Sequence, residues 1–249
     1  MKFVELLQII QDESKSEDYL RSVGILKTFT NCHRCNGTSL GLIRGDRWKC
    51  YKCKTEWTRR KDSLLSLVRI KYSEFLLCLK CFELELTAEE VSKQLKLNYK
   101  TVIMLFNEFR RYIAGYSIEQ IAELQKIMKG SSDFISINIV DKKVKFRYSD
   151  ERKEDGSKFT SERSRISNSS TTYVLSYKRL KNFMYVGKGQ GYFSDIDRFW
   201  RYAKVSILKF RGTDNRNFIL FLKEIEFRFN NSGEDIFNAI SNKIAKKSE

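Results

Sequence analysis

Cys32 and Cys35, then Cys50 and Cys53, form two CxxC pairs separated by 14 residues. Four thiols in two such pairs are the ligand set of a structural zinc site. Each pair has the spacing of a tight turn that aims both sulfurs at one ion. Residues 36–49 suit a short hairpin that carries the second pair back to the first. Four thiolates close the coordination sphere, so the expected Zn²⁺ folds the module and leaves no open position for chemistry. The single histidine, His33, lies inside the first pair. Beside four thiols it reads as an exposed phosphate contact or as a bystander, and no Ser/His/Asp arrangement can be proposed. A third pair, Cys78 and Cys81, falls in an apolar helical stretch and reads as two buried small hydrophobes.

The chain around these thiols is basic. It has 249 residues, room for two or three compact modules. It carries 47 Lys and Arg against 31 Asp and Glu, a net charge of +16. Such a surplus favours a polyanion, most simply nucleic acid. A membrane surface would attract it too, but no apolar run approaches the roughly 18 residues of a spanning helix. No secretory signal is seen, and paired CxxC motifs suit a reducing compartment. The expected location is therefore intracellular, and nuclear if the source is eukaryotic. The charge is concentrated around the knuckles. Residues 27–61 hold ten Lys and Arg against Asp46 and Glu56, a net of +8. Trp48, Tyr51 and Trp57 are interleaved with them, as aromatic support for phosphate contacts or as the core of the small ribbon.

The flanking elements must position these groups. Residues 1–27 read as two short amphipathic helices, with Phe3, Leu6, Leu7 and Ile10, then Tyr19, Leu20, Val23 and Leu26, in helical period. A zinc ribbon follows over 28–60. Residues 70–115 read as a helix-turn-helix. Ser73 can cap a first helix that carries Phe75, Leu76, Leu79, Phe82 and Leu86. Thr87 and Glu90 make a capping box for a short second helix. Leu97 and Asn98 turn the chain, and Tyr99 starts a longer helix with Val102, Leu105, Phe106, Phe109 and Ile113 inward. Polar residues at the start of such a helix suit entry into the major groove. The expected DNA contacts are Arg34, Arg44, Arg47, Lys49, Lys52, Lys54, Arg59 and Arg60 in the ribbon. In the helices they are Lys100, Thr101, Asn107, Arg110 and Arg111.

Past residue 130 the pattern changes. Residues 133–148 alternate as one or two strands, with a turn at 141–143. Residues 149–172 are polar and read as a long mobile loop. Strand-like runs follow at 172–175 and 177–186. Gly187, Gly189 and Gly191 lack the strand–turn–helix context of a nucleotide loop. Two helices close the chain, 195–209 and 217–230. The first buries Ile196, Phe199, Trp200, Ala203 and Ile207. The second buries Phe218, Phe221, Leu222, Ile225 and Phe229.

Three runs in this closing region carry a resemblance. They are Asp197-Arg-Phe-Trp-Arg-Tyr-Ala-Lys204, Lys209-Phe-Arg-Gly-Thr213 and Asn217-Phe-Ile-Leu-Phe-Leu-Lys-Glu-Ile-Glu-Phe-Arg-Phe-Asn230. They resemble the end of the ISXO-type insertion-sequence transposases and their eukaryotic relatives, the Merlin elements. A zinc ribbon ahead of a helix-turn-helix agrees with that family's front. The resemblance covers roughly residues 15–115 and 172–240. It implies an α+β chain in which ribbon and helix-turn-helix precede a truncated ribonuclease-H-like α/β domain, over 130–245. It further implies, for an active member, two Asp and a third acidic or amide side chain on paired Mg²⁺ or Mn²⁺ for phosphodiester cleavage and strand transfer. Asp197 falls at the third position and Lys204 at the family's lysine. Asp141 lies near the first position, one residue off. Leu175 or Ser176 stands where the second Asp belongs, and Leu cannot hold a metal.

The expectation is a DNA-binding transposase-like protein that recognises transposon-end double-stranded DNA with a degenerate catalytic domain, and whether enzymatic activity survives is left open. Two alternatives stand beside it. One is an active metal-dependent transposase in which Asp141 acts with Asp150 or Asp155. The other is a zinc-ribbon accessory factor for RNA or a protein partner. By family, a homo-oligomer on paired ends is also implied.

Overall fold

The computed structural model describes residues 1–115 and 217–246, the strands at 134–140, 143–149, 165–167 and 170–176, and helical residues 199, 201–203 and 205–206. The chain divides into two compact units. One is Met1–Tyr112 together with Asp235–Glu249, and the other is Ile113–Glu234.

The first unit opens with α1 (Phe3–Ile10) and α2 (Glu13–Ser22). Asp12 caps α2 by accepting the Ser14 N–H at 2.9 Å, which satisfies one donor of the first turn. A three-stranded antiparallel ribbon follows: β1 (Leu40–Ile43), β2 (Arg47–Cys50) and β3 (Glu56–Thr58). The β1–β2 hairpin is the expected connection between the cysteine pairs, and its register sets Leu40 opposite Cys50.

Three helices come next. In α3 (Tyr72–Glu83) the expected cap is displaced by two residues. Lys71 occupies the cap position, and its N–H donates to Glu74 at 2.8 Å. Ser73 lies inside the first turn, where its hydroxyl donates to Glu13 at 2.7 Å. The helix also stops at Glu83 rather than continuing to Leu86. Leu84 follows as an exposed residue, and Glu85 takes a left-handed φ of 58°. The short helix α4 (Ala88–Leu95) starts at the capping box, with Thr87 Oγ1 accepting the Glu90 N–H at 3.3 Å and Thr87 N–H donating to Glu90 at 2.8 Å. Left-handed Lys96 ends it. Asn98 Oδ1 accepts the Lys100 N–H at 2.8 Å and starts α5 (Tyr99–Ala114).

The core of these helices is aromatic. Phe82 meets Phe106 and Phe109 edge-on at 5.0 and 5.4 Å, and Phe75 meets Phe109 at 5.7 Å. Cys78 is fully buried and Cys81 half-buried. Burial pushes the Cys78 thiol up to about 12, so both behave as hydrophobes, as expected.

The closing helix α7 (Ile236–Ala245) follows α6 (Phe218–Asn230), and sequence periodicity missed it. Phe237, Ile240 and Ile244 are buried, and Asp235 caps it through the Asn238 N–H at 3.0 Å. It packs on α3, so these residues belong to the first unit and not to a domain spanning 130–245. The Met1 ammonium pairs with Asp235, and Lys80 Nζ donates to the Met1 carbonyl at 2.8 Å.

The second unit contains a four-stranded sheet, β4 (Phe134–Val140), β5 (Lys143–Ser149), β6 (Arg165–Ser167) and β7 (Ser170–Ser176). The strand order is β5-β4-β7-β6, and every pairing is antiparallel. Parallel strands joined by crossover helices, the mark of an α/β domain, do not occur among the described residues. Lys143, expected in the turn, pairs with Val140 and belongs to β5. The polar stretch 149–172 is not all loop. It contains β6 and the start of β7, with Arg165 opposite Thr172. Short polar strands carry no apolar alternation, and the sequence pattern does not reveal them.

In the same unit, α6 buries Ile219, Leu220, Phe221, Leu222 and Ile225, and its Phe229 is only half-buried. Phe199 packs edge-on against Phe229 at 5.1 Å, and Phe199 and Ala203 are buried as expected. Glu224 and Arg228 form a buried ion pair at 2.8 Å. At the end of α6, the Asn230 amide accepts the Val144 N–H at 2.8 Å and donates to the Val144 carbonyl at 2.6 Å. Since β5 is an edge strand, Asn230 satisfies two backbone groups that would otherwise be open.

Candidate metal centre

Two turns of the same construction bring the thiols together. In the first, the Asn36 N–H donates to the Cys32 carbonyl at 2.9 Å. In the second, the Lys54 N–H donates to the Cys50 carbonyl at 2.9 Å. The residue after each second cysteine is left-handed, Asn36 at φ 54° and Lys54 at φ 63°. Asn tolerates that conformation and Lys adopts it at a cost.

The four sulfurs lie within 4.8 Å of one another. Cys32 Sγ is 3.6 Å from Cys53 Sγ, and Cys35 Sγ is 3.7 Å from Cys50 Sγ. A tetrahedron with Zn–S bonds of about 2.3 Å has edges of about 3.8 Å. The thiol geometry therefore fits a four-coordinate zinc ion. The Arg34 N–H points at Cys32 Sγ at 3.4 Å, and the Thr55 hydroxyl lies 3.3 Å from Cys53 Sγ. Such contacts favour thiolate, and those from Thr55 pull Cys53 down to about 6. The Gly37 backbone lowers Cys35, but the neighbouring sulfurs and desolvation outweigh it and push that thiol up to about 11. Crowded thiols share protons in this way, and a dication displaces them together.

Phe29, Cys32, Cys50 and Trp57 form the buried core of the ribbon, and Trp48 packs on it. Trp57, 4% exposed, takes the edge of Phe29 at 5.6 Å and of His33 at 4.8 Å. Trp57 is thus core. Tyr51 is the aromatic of the three that reaches solvent, at 48% exposure.

The expected DNA-contact residues divide by what already holds them. Arg34, Arg44, Lys52 and Lys54 are exposed on the ribbon, and Lys100 is exposed at the start of α5 beside Tyr99. Arg47 and Lys49 share Glu56, at 3.8 and 3.2 Å. Arg59 is committed to the fold, bonded to Asp46 at 3.1 Å and to Glu17. The Arg60 guanidinium lies over the Tyr72 ring at 4.6 Å and donates to the Val68 carbonyl at 3.3 Å. Thr101 and Asn107 are half-buried. Arg111 is paired with Glu108 through Nε at 2.9 Å. Arg110 corrects the expectation. It is 3% exposed, with its guanidinium over Phe82 and Phe106 and a 3.2 Å bond to Asn107, so it belongs to the helical core. A polar residue placed just after Phe109 reads as outward until the Phe82 and Phe106 rings are seen beneath it.

Glu17 is a buried residue that sequence reasoning missed. It is 7% exposed and accepts from both Arg21 and Arg59, tying α2 to the ribbon. The expected catalytic residues Asp141, Asp197 and Lys204, together with Asp150 and Asp155, lie outside the described residues.

Over 58 residues, 23% of its length, the chain is 39% identical to an uncharacterized transposase-like protein of Haemophilus influenzae. That stretch is where the similarity lies. It spans 47% of the Haemophilus protein, so the chain covers about half the length of the curated relative it matches. No protein-family model matches the chain, and no solved structure matches it. Among the described residues, no helix is long and apolar enough to cross a membrane.

Proposed function

We propose that this chain is a DNA-binding transposase-like protein that recognises transposon-end duplex DNA, with a degenerate catalytic domain. The observation that carries the reading is the thiolate tetrahedron. It fits a zinc ion, and that ion would hold Arg34, Arg44, Lys52 and Lys54 on one small rigid ribbon. A rigid cationic surface suits a phosphate backbone, because little backbone freedom is lost on binding. The α4–α5 pair follows, with Lys100 and Tyr99 exposed at the start of the longer helix, and this placement supports a helix-turn-helix role. The transposase-like stretch supports the same class.

The strand content of the second unit supports lost catalysis. None of the residues of β4, β5, β6 and β7 is Asp or Glu. Carboxylates on rigid strands are the usual way to fix paired divalent metals. Subtype, ISXO-type or Merlin, and a ribonuclease-H-like origin for the second unit rest on the closing sequence runs. The polar side chains of the last run have structural duties here: Arg228 pairs with Glu224, and Asn230 holds β5. A homo-oligomer on paired ends remains part of the proposal.

The test is equilibrium binding of the purified, zinc-loaded chain to duplexes carrying the element's own ends, titrated with salt. Affinity should fall steeply, with a log–log slope of about −0.9 per phosphate neutralised. Binding without salt dependence would favour a protein partner, and preference for single-stranded or structured RNA would favour an RNA accessory factor. Cleavage of element ends with Mg²⁺ or Mn²⁺, abolished by Asp197→Ala, would restore the active-transposase reading.

A further inference from the structure

The sheet of the second unit has two faces of opposite character. Antiparallel register places Lys143, Lys145 and Arg147 of β5 on one face, with Ser136 and Asn138 of β4 opposite the last two. The same face continues through Thr172 of β7, which pairs with Asn138, to Arg165 of β6. The other face takes Ile135, Ile137 and Ile139 of β4, Val144 and Phe146 of β5, and Tyr173 and Leu175 of β7. Val144 is 2% exposed, whereas Lys143 and Lys145 on either side of it are exposed. The burial pattern at β5 therefore turns the basic face outward.

We infer that this basic face of the sheet is a second duplex-DNA-binding surface, separate in the chain from the ribbon and α5. Charge complementarity carries the inference. Four cationic residues occupy positions on one face of a sheet that holds no Asp or Glu on either face. Nothing within these strands neutralises them. Alternate residues of an antiparallel strand are about 6.8 Å apart. Phosphates of one DNA strand advance about 3.4 Å along the axis while winding around it, so cations about 6.8 Å apart are spaced on the scale of the phosphate backbone. Ser136, Asn138 and Thr172 supply neutral hydrogen-bonding groups, which commonly contact phosphate oxygens beside Arg and Lys. Phosphate contacts of this kind contribute affinity and placement rather than sequence reading.

The inference rests on the DNA-binding reading, and one salt titration separates them. The full zinc-loaded chain, its Lys143→Ala/Lys145→Ala variant, and a Lys243→Ala/Lys246→Ala control of equal charge at the end of α7 are compared on one element-end duplex. The sheet variant should lose close to two from the magnitude of the salt slope, with unchanged zinc content and circular dichroism. The α7 control should keep the wild-type slope. If wild type and control bind with the same slope as the sheet variant, the surface is overturned while DNA binding stands. If the control loses as much slope as the sheet variant, the effect is general charge and the surface is likewise overturned. If the wild-type chain does not bind duplex at all, both readings fall.

Discussion

Cys50, the first thiol of the second pair, is fully buried, and its sulfur lies 3.7 Å from that of Cys35. Cys50→Ser should remove zinc from near one equivalent to near zero, read by elemental analysis. The ribbon should lose its near-ultraviolet signal from Trp48 and Trp57 at the same time. The loss is large because structural zinc contributes about 10–16 kcal/mol of apparent binding energy that an unfolded ribbon does not recover. Lys54 offers a finer test. Its left-handed φ of 63° costs roughly 1–2 kcal/mol for an L-residue. Glycine removes that cost but adds about 0.5–1 kcal/mol of unfolded-state entropy. Lys54→Gly should therefore stabilise the zinc-loaded protein by about 0.5–1 kcal/mol in urea denaturation while weakening duplex affinity. A gain in both, or a loss of stability, would count against the assigned role.

At the scale of elements, the sheet depends on one amide. Asn230 pairs with both backbone groups of Val144 on the edge strand β5. Asn230→Ala leaves a part-buried donor and acceptor unpaired, which costs about 1–3 kcal/mol per group at most. Lower urea midpoints, with more aggregation at high concentration, are the expected outcome; an unchanged midpoint would show that α6 holds the edge by packing alone. Much of the helical part is legible in the sequence. The apolar period of 72–83 and 99–114, and the Thr87–Glu90 box, are local signals, and local signals survive folding. Ser73 failed as a cap because the helix starts before it, where Glu74 accepts the Lys71 N–H, and because its own hydroxyl donates to the distant Glu13. The strand β6 was illegible for the opposite reason: Arg165-Ile-Ser167 is a strand only because β7 lies beside it.

At the scale of the molecule, the first unit closes on itself through the chain ends. Partial burial raises Asp235, but hydrogen bonds from the Met1 ammonium and the Asn238 N–H outweigh it and hold its carboxyl below the usual value. A carboxyl depressed by folding stabilises above its unfolded pKa, near 3.8, and that share is lost as pH falls through the lower folded value. Asp235→Asn should thus cost stability at pH 7, below about 1 kcal/mol for a pair this exposed, and cost nothing at pH 2. Urea midpoints at the two pH values check the sign. A penalty that persisted at pH 2 would mean the cap, not the charge, carries the effect.

The sequence alone determined the four clustered thiols, the basic ribbon and the capping-box start at Thr87. Those depend on spacing and on residues within a turn of one another, which chemistry constrains directly. Tertiary structure decided which cations remain available. Arg59 and Arg110 look like Arg34 in a sequence, but Glu17 and a cluster of phenylalanine rings hold them, because distant elements fold onto them. It also decided that α7 returns to the first unit and that the basic residues of β5 share one face with Arg165. Both depend on packing and register between residues far apart in the chain, and local pattern carries no record of either.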